Sequence, residues 1–207
     1  MHPFNRIGLY GGTFDPLHNA HLQLADWVVK TLQLRELYFI PSARHPFKLN
    51  SEITPPEIRY KMLSRVFSGS KIFKVSRIEV EKPGISYTID TIRSFRESPE
   101  FHDADLFLII GADNLKEFHL WKDPEEIFQL AKVIVLKRPG EDASQIDPRL
   151  REKMVLLNSP EINMSATMIR KRIKNGKSVE HLIPQPVWTI IQNYHLYGFK
   201  KSGNEDY

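Results

Sequence analysis

Apolar residues along the chain follow two rhythms, and glycine and proline mark where one gives way to the other. Residues 6–10, Arg-Ile-Gly-Leu-Tyr, form a short apolar run that stops on Gly11 and Gly12, which predicts a strand. A helical spacing of apolar positions follows over 18–32. Residues 36–40 predict a second strand closed by Pro41, so the first helix would be a crossover between two parallel strands. Pro55 and Pro56 open a helix to about Ser68. Residues 71–81 predict a third strand, 87–97 a helix, and 104–110 a buried strand ending at Gly111. Next come a short helix near Asn114, another over 124–130, and a fifth strand over 132–137 stopped by Pro139 and Gly140. Residues 140–151 are polar and read as a loop. A last strand near 154–157 precedes a helix over 165–175 with Gly176 as its stop, and a terminal helix over 186–194. This alternation predicts an α/β protein built on a doubly wound parallel sheet, with a small C-terminal helical part over about 160–198. No repeat or linker divides the chain, so residues 1–207 are expected to form one domain.

Composition narrows the chemistry. With 207 residues, 41% hydrophobic and 26% charged, the chain is of ordinary globular type and long enough to need no covalent staple. It has no cysteine, which excludes thiol nucleophiles, Cys-ligated zinc, iron–sulfur clusters and disulfides, and fits a reducing compartment. Residues 1–12 carry Arg6 and glycines but no continuous apolar run, so no secretory signal is expected and the cytoplasm is the expected location. The richest apolar stretches, 106–112 and 131–136, fall far below the roughly 20 residues that span a bilayer, so no membrane partner is expected. A net charge of +4 is modest, and the basic residues are spread along the chain except over 170–177. That balance favours small phosphorylated ligands over nucleic acid.

In a doubly wound sheet the ligand site lies at the carboxyl ends of the strands, where the first strand delivers Gly11, Gly12, Thr13, Phe14 and Asp15. This loop is neither a Walker A motif nor the glycine pattern of dinucleotide-binding dehydrogenases. A double glycine lets backbone approach a ligand, and the helix that follows offers unpaired N–H groups and a positive dipole end to an anion. His18 and His21, three residues apart at that helix start, would project from one face toward the same edge. Such a pair can grip a polyphosphate; an isolated pair can also be a polar turn facing solvent. A zinc site is disfavoured, since no third ligand is evident and the helix lacks the glutamate of a metalloprotease pair.

The run Gly11-Gly12-Thr13-Phe14-Asp15-Pro16-Leu17-His18-Asn19-Ala20-His21 resembles the nucleotidyltransferase signature with its His-x-Gly-His core. Met164-Ser165-Ala166-Thr167-Met168-Ile169-Arg170 resembles that family's Ile-Ser-x-Thr-x-Ile-Arg phosphate-binding segment. Ser165 or its predecessor can cap a helix whose first-turn N–H groups and Thr167 meet phosphate, with Arg170 as a cationic fork and Met168, Ile169 and Ile173 facing inward. Ser86-Tyr87-Thr88 followed by Asp90-Thr91, the turn Gly111-Ala112-Asp113, Trp121, and Lys137-Arg138-Pro139-Gly140 resemble one branch, the bacterial nicotinate-nucleotide adenylyltransferases. The segment from Pro41 to Lys48 resembles the branch's Pro-x-x-x-x-Pro-His-Lys loop. The resemblance runs from Gly8 to Gly198, with only Gly140 to Lys153 unplaced.

The resemblance implies a Rossmann-like nucleotidyltransferase fold and transfer of AMP from ATP to nicotinate mononucleotide, giving deamido-NAD and pyrophosphate. It assigns His18 and His21 to the reacting phosphorus, and Gly11, Gly12, Thr13, Phe14, Lys48, Gly111, Asp113, Ser165, Thr167 and Arg170 to ATP and its phosphates. Ser86, Tyr87, Thr88 and Trp121 are assigned to the nicotinate nucleotide. Mg2+ would arrive with ATP and need few protein ligands, with no metal site of the protein's own. Each assignment has a plainer counterpart: helix capping for Ser86 to Thr88, an indole covering Phe118 and Ile127 for Trp121, a turn residue for Asp113, a solvated loop lysine for Lys48. A homo-oligomer is compatible with the sequence. Ala20 stands where the signature has glycine, Phe47 where it often has histidine (with His45 nearby), and Met164 where it has isoleucine. Adenylyl transfer to nicotinamide mononucleotide or phosphopantetheine, and a non-catalytic nucleotide sensor, are the competing readings.

Overall fold

A computed structural model describes residues 5–43, 53–82, 84–137 and 148–200, apart from the side chains of Asp113 and Lys116. Strands β1 (Arg6–Gly12), β2 (Glu36–Pro41), β3 (Phe73–Val75), β4 (Asp105–Gly111), β5 (Lys132–Lys137) and β6 (Met154–Asn158) pair entirely in parallel. Their order in the sheet is β3-β2-β1-β4-β5-β6. The direction of winding reverses between β1 and β4, which opens a crevice at the carboxyl ends of these two strands. The doubly wound sheet expected from the alternation is therefore present, and its switch point lies where the glycine loop leaves β1.

Both faces of the sheet are covered, and the two-residue period of the strands sorts side chains between them. Ile7, Leu9, Leu106, Leu108, Ile110, Val133 and Val135 face one core, shared with Ile89, Ile92 and Phe95 of α3 (Thr88–Glu97) and Ile127 of α4 (Pro124–Leu130). Leu37, Phe39, Phe107, Ile109, Ile134 and Leu136 face the other. That second core takes Ala25 and Val28 from α1 (Asn19–Leu32) and Met62 and Leu63 from α2 (Pro56–Val66). After the short α5 (Pro148–Arg151) and β6, two further helices close the same face: α6 (Ala166–Lys174) through Ile169 and Ile173, and α7 (Gln185–Asn193) through Val187, Ile190 and Ile191. Each such aliphatic side chain contributes about 1.5–3 kcal/mol on burial, before the entropy of ordering it. Ile169 and Ile173 face inward as expected, and Met168 is half-buried against the same cluster.

Three elements depart from the expectations. The third strand shrinks from 71–81 to Phe73–Val75, because it lies at the sheet edge and the chain turns away after Ser76 donates its N–H to the Phe39 carbonyl. The turn is closed by the Glu81 N–H on the Arg77 carbonyl and by the Arg77 guanidinium on the Glu81 carboxylate at 2.8 Å. The helix near Asn114 is a 3-10 helix over Ala112–Leu120. Within the segment read as loop, Pro148–Arg151 forms one helical turn.

Candidate active site

At the carboxyl edge of the sheet lies a cavity of about 830 Å³. Its floor is the end of β1, and its walls are the starts of α1, α3 and α6 together with the 3-10 helix after β4. Gly11, Gly12, Thr13, Phe14, His18 and His21 line one side, and Ser165, Thr167 and Arg170 join them there from some 150 residues away. Ser86, Tyr87, Thr88, Gly111 and Trp121 line it as well. Lys48 lies outside the described residues, as do His45 and Phe47. Asp113 occupies the first turn of the 3-10 helix, and its side chain is outside the described set.

The two glycines are not equivalent. A Cβ on Gly11 would meet nothing within 4 Å, so its backbone is bare toward the cavity. A Cβ on Gly12 would fall 2.8 Å from the Phe14 ring, which is buried against it. Phe14 itself has φ 49°, in the left-handed region, and its ring is wedged edge-on between Tyr10 and His21 at 5.6 and 5.1 Å. The second glycine thus makes room for an aromatic wedge as well as lining the cavity.

His18 caps α1 with extended backbone, and its ring stacks on His21 at 3.7 Å between centroids. The His18 N–H donates to His21 Nδ1 at 3.3 Å. With Nδ1 accepting, neutral His21 carries its proton on Nε2, which is then a donor. Only 5% of His18 is exposed, so the solvent-facing turn is ruled out. Burial lowers the His18 pKa to about 4, and burial together with the neighbouring His18 lowers that of His21 well below the ordinary value. Both rings are therefore neutral at pH 7, and His18 Nδ1 is buried with no hydrogen-bond partner among the described residues. A buried polar atom in that state costs about 1–3 kcal/mol, which a ligand atom or water can recover.

Beside them Ser165 caps α6, its hydroxyl accepting the Met168 N–H at 3.2 Å. The remaining first-turn N–H groups of Ala166 and Thr167 point out of the helix end beside Arg170. Arg170 donates to the Asp15 carbonyl at 2.8 Å and to Thr167 Oγ1 at 3.2 Å, so the guanidinium is held at the rim of the cavity. At the other end, Tyr87 caps α3 and its ring lies under the Lys122 ammonium at 5.0 Å. Lys122 is itself bound to Asp90 at 3.1 Å, which ties the start of α3 to the Trp121 turn. Trp121 packs tilted on Phe118 at 4.9 Å while another part of its surface lines the cavity, so the covering role and the site role coexist.

Sequence reasoning missed two buried charged residues. Arg59, 1% exposed, donates to the carbonyls of Thr13 at 2.7 Å and Thr54 at 2.8 Å, and to that of Ser42, holding the glycine loop from a neighbouring helix. The available signal was an arginine standing in the apolar stripe of α2 with Met62 and Leu63. Glu79 was hidden inside the expected third strand; it is buried at the cavity wall and accepts from Thr91 Oγ1 at 2.9 Å. Burial pushes its carboxyl pKa up.

The cytidylyltransferase-like family model matches residues 9–172, which includes the glycine loop, both histidines and Arg170. A Clostridium tetani protein named as a probable nicotinate-nucleotide adenylyltransferase is 37% identical over 197 residues, covering 91% of this chain and 97% of the relative. The chain belongs to the nicotinate-nucleotide adenylyltransferase family. A Salinibacter ruber relative bearing the same name is also 37% identical, over 92% of this chain and 97% of its own. Among solved structures, Plasmodium falciparum nicotinic acid mononucleotide adenylyltransferase complexed with NaAD superposes with a TM-score of 0.75 at 20% identity, over 95% of this chain and 98% of that one. At that identity the likeness shows the shared fold. Among the described residues, no helix is long and apolar enough to cross a membrane.

Proposed function

We propose that the chain transfers the adenylyl group of ATP to nicotinate mononucleotide, releasing pyrophosphate and forming deamido-NAD, a step of NAD biosynthesis. The phosphate oxygen of the mononucleotide forms the new bond to the α-phosphorus in line with the bond to the β-phosphate that breaks. The nucleophile belongs to the substrate, so the protein has to orient two nucleotides and stabilise charge on the phosphoryl oxygens. The observation that carries this reading is the stacked imidazole pair sharing one cavity with Arg170 and the start of α6.

His21 donates from Nε2 to the reacting phosphate, and His18 beside it offers a second ring. Approaching phosphate charge favours the protonated imidazole and so opposes the downward push of burial. Arg170, Thr167, the Ser165-capped helix start and Lys48 receive the departing pyrophosphate. Gly11, Gly12, Thr13 and Phe14 line the junction of the two nucleotides, and Gly111 and Asp113 serve the adenosine side. Ser86, Tyr87 and Thr88 offer a helix start to the nicotinate carboxylate, and Trp121 offers a flat face to its ring.

Magnesium enters as the MgATP complex. The donors around the histidine pair are imidazoles, a guanidinium and backbone N–H groups, a set suited to phosphate oxygens rather than to a cation, and Asp15 is already taken up by protein partners. Glycine loop and Arg170 come from opposite ends of the sequence, which supports reading residues 1–207 as one functional unit. A cytoplasmic site of action fits an ATP donor and a cysteine-free chain.

The test is pyrophosphate release by the purified protein with ATP, Mg2+ and, separately, nicotinate mononucleotide, nicotinamide mononucleotide or phosphopantetheine. Release is expected to be fastest with nicotinate mononucleotide. Equal or faster release with another acceptor reassigns the substrate, and no release with any of the three leaves a nucleotide-binding sensor.

A further inference from the structure

Asp15 is 4% exposed, and segments far apart in the sequence converge on it. Its Oδ1 accepts the Tyr197 hydroxyl at 2.6 Å, its Oδ2 accepts the Thr54 N–H at 3.2 Å, and its backbone carbonyl accepts Arg170 Nη1 at 2.8 Å. Thr54 Oγ1 also donates to the Tyr197 oxygen at 3.3 Å. Arg59 pins the carbonyls on either side of the cluster, those of Thr13 and Thr54. Tyr197 lies in the closing 3-10 turn, Leu196–Gly198, at φ 58°, a left-handed conformation that a bulky side chain holds only when its surroundings impose it. Its phenol is pushed far up from its ordinary pKa by burial and by Asp15, so it stays a donor across any working pH.

We propose that Tyr197 is a positioning residue for the triphosphate: its hydroxyl fixes the Asp15 carboxylate, and the Asp15 carbonyl in turn aims the Arg170 guanidinium into the cavity. The inference rests on the reading of Arg170 as a phosphate contact. It assigns a task to the C-terminal turn Leu196–Gly198, to whose residues the sequence reading gave no role. The Tyr197 ring packs with the apolar cluster beneath α6 and α7, so removing only the hydroxyl leaves that packing in place while Asp15 keeps a single partner on its carboxylate.

Tyr197→Phe in the full chain tests this. Binding of ATP with Mg2+, measured calorimetrically without acceptor, is expected to weaken about tenfold, the scale of one hydrogen bond to a charged group. In turnover the KM for ATP should rise similarly, while that for nicotinate mononucleotide stays within about twofold. Asp15→Ala, which removes the acceptor of the Tyr197 hydroxyl altogether, should produce the same pattern, and adding Tyr197→Phe to it should cost no further ATP affinity, since the hydroxyl acts through that carboxylate. A lowered melting temperature with unchanged ATP affinity makes Tyr197 structural only and overturns the proposal, as does an equal loss for ATP and acceptor. Should Tyr197→Phe not fold, Asp15→Ala decides by the same criteria. A wild-type protein that binds ATP but releases no pyrophosphate sinks the proposed function, while the calorimetric comparison still decides the role of Tyr197.

Discussion

His21→Ala separates catalysis from stability at one residue. In the fold, the imidazole accepts one backbone hydrogen bond, from His18 at 3.3 Å, and packs on His18 and the edge of Phe14. Losing that bond costs about 0.5–1.5 kcal/mol, and with the lost ring contacts the total is about 1–2 kcal/mol. For a chain of this size that lowers the melting temperature by roughly 2–8 °C. In the reaction, the same change deletes a preorganised donor to the phosphoryl oxygens, which is worth about 10²–10³ in turnover. Pyrophosphate release and a thermal melt on the same sample read both quantities. His21→Asn, whose side-chain oxygen can take over the bond from His18, should recover melting temperature but not turnover. A His21→Ala variant whose turnover stays within about threefold of wild type refutes the assignment, whatever its stability.

The unequal glycines predict unequal variants: Gly12→Ala drives a methyl into the Phe14 ring and should cost about 1–3 kcal/mol in denaturant unfolding, whereas Gly11→Ala should melt like wild type yet raise the KM for ATP. Trp121→Ala should raise the KM for the mononucleotide about tenfold or more, the scale of one base–aromatic stack, with the KM for ATP within about twofold. Because the folded-state pKa of His18 is lowered to about 4, the unfolded chain takes up a proton below pH 6.5 that the fold refuses. Stability of the ligand-free protein should therefore be complete above pH 6.5 and fall toward pH 4, by about 3 kcal/mol from this residue. His18→Asn should flatten that slope in pH-dependent denaturant melts, and an unchanged slope contradicts the burial argument.

The strand and helix alternation was legible because each strand of a two-sided parallel sheet must be apolar on both faces, which leaves short apolar runs between helical ones. Edge strand β3 escaped that logic: 71–81 alternates well, but with a neighbour on one side only, the pairing ends after Val75 and the chain turns to bury Glu79 at the cavity. The histidines and the phosphate-binding helix start were visible as motifs because capping and short-range spacing are local properties of sequence. Arg59 and Tyr197, and the structural part played by Asp15, were not, because these roles exist only once three carbonyls and a carboxylate from distant segments are brought within hydrogen-bond reach. Nor could sequence distinguish Gly11, bare toward the cavity, from Gly12, crowded by Phe14. By itself the sequence determined the rhythm of elements, the chemistry available and the loop that carries it. Which groups meet, which imidazole nitrogen keeps its proton and how far burial moves a pKa were decided by tertiary structure, since each depends on what surrounds an atom in space rather than on its neighbours along the chain.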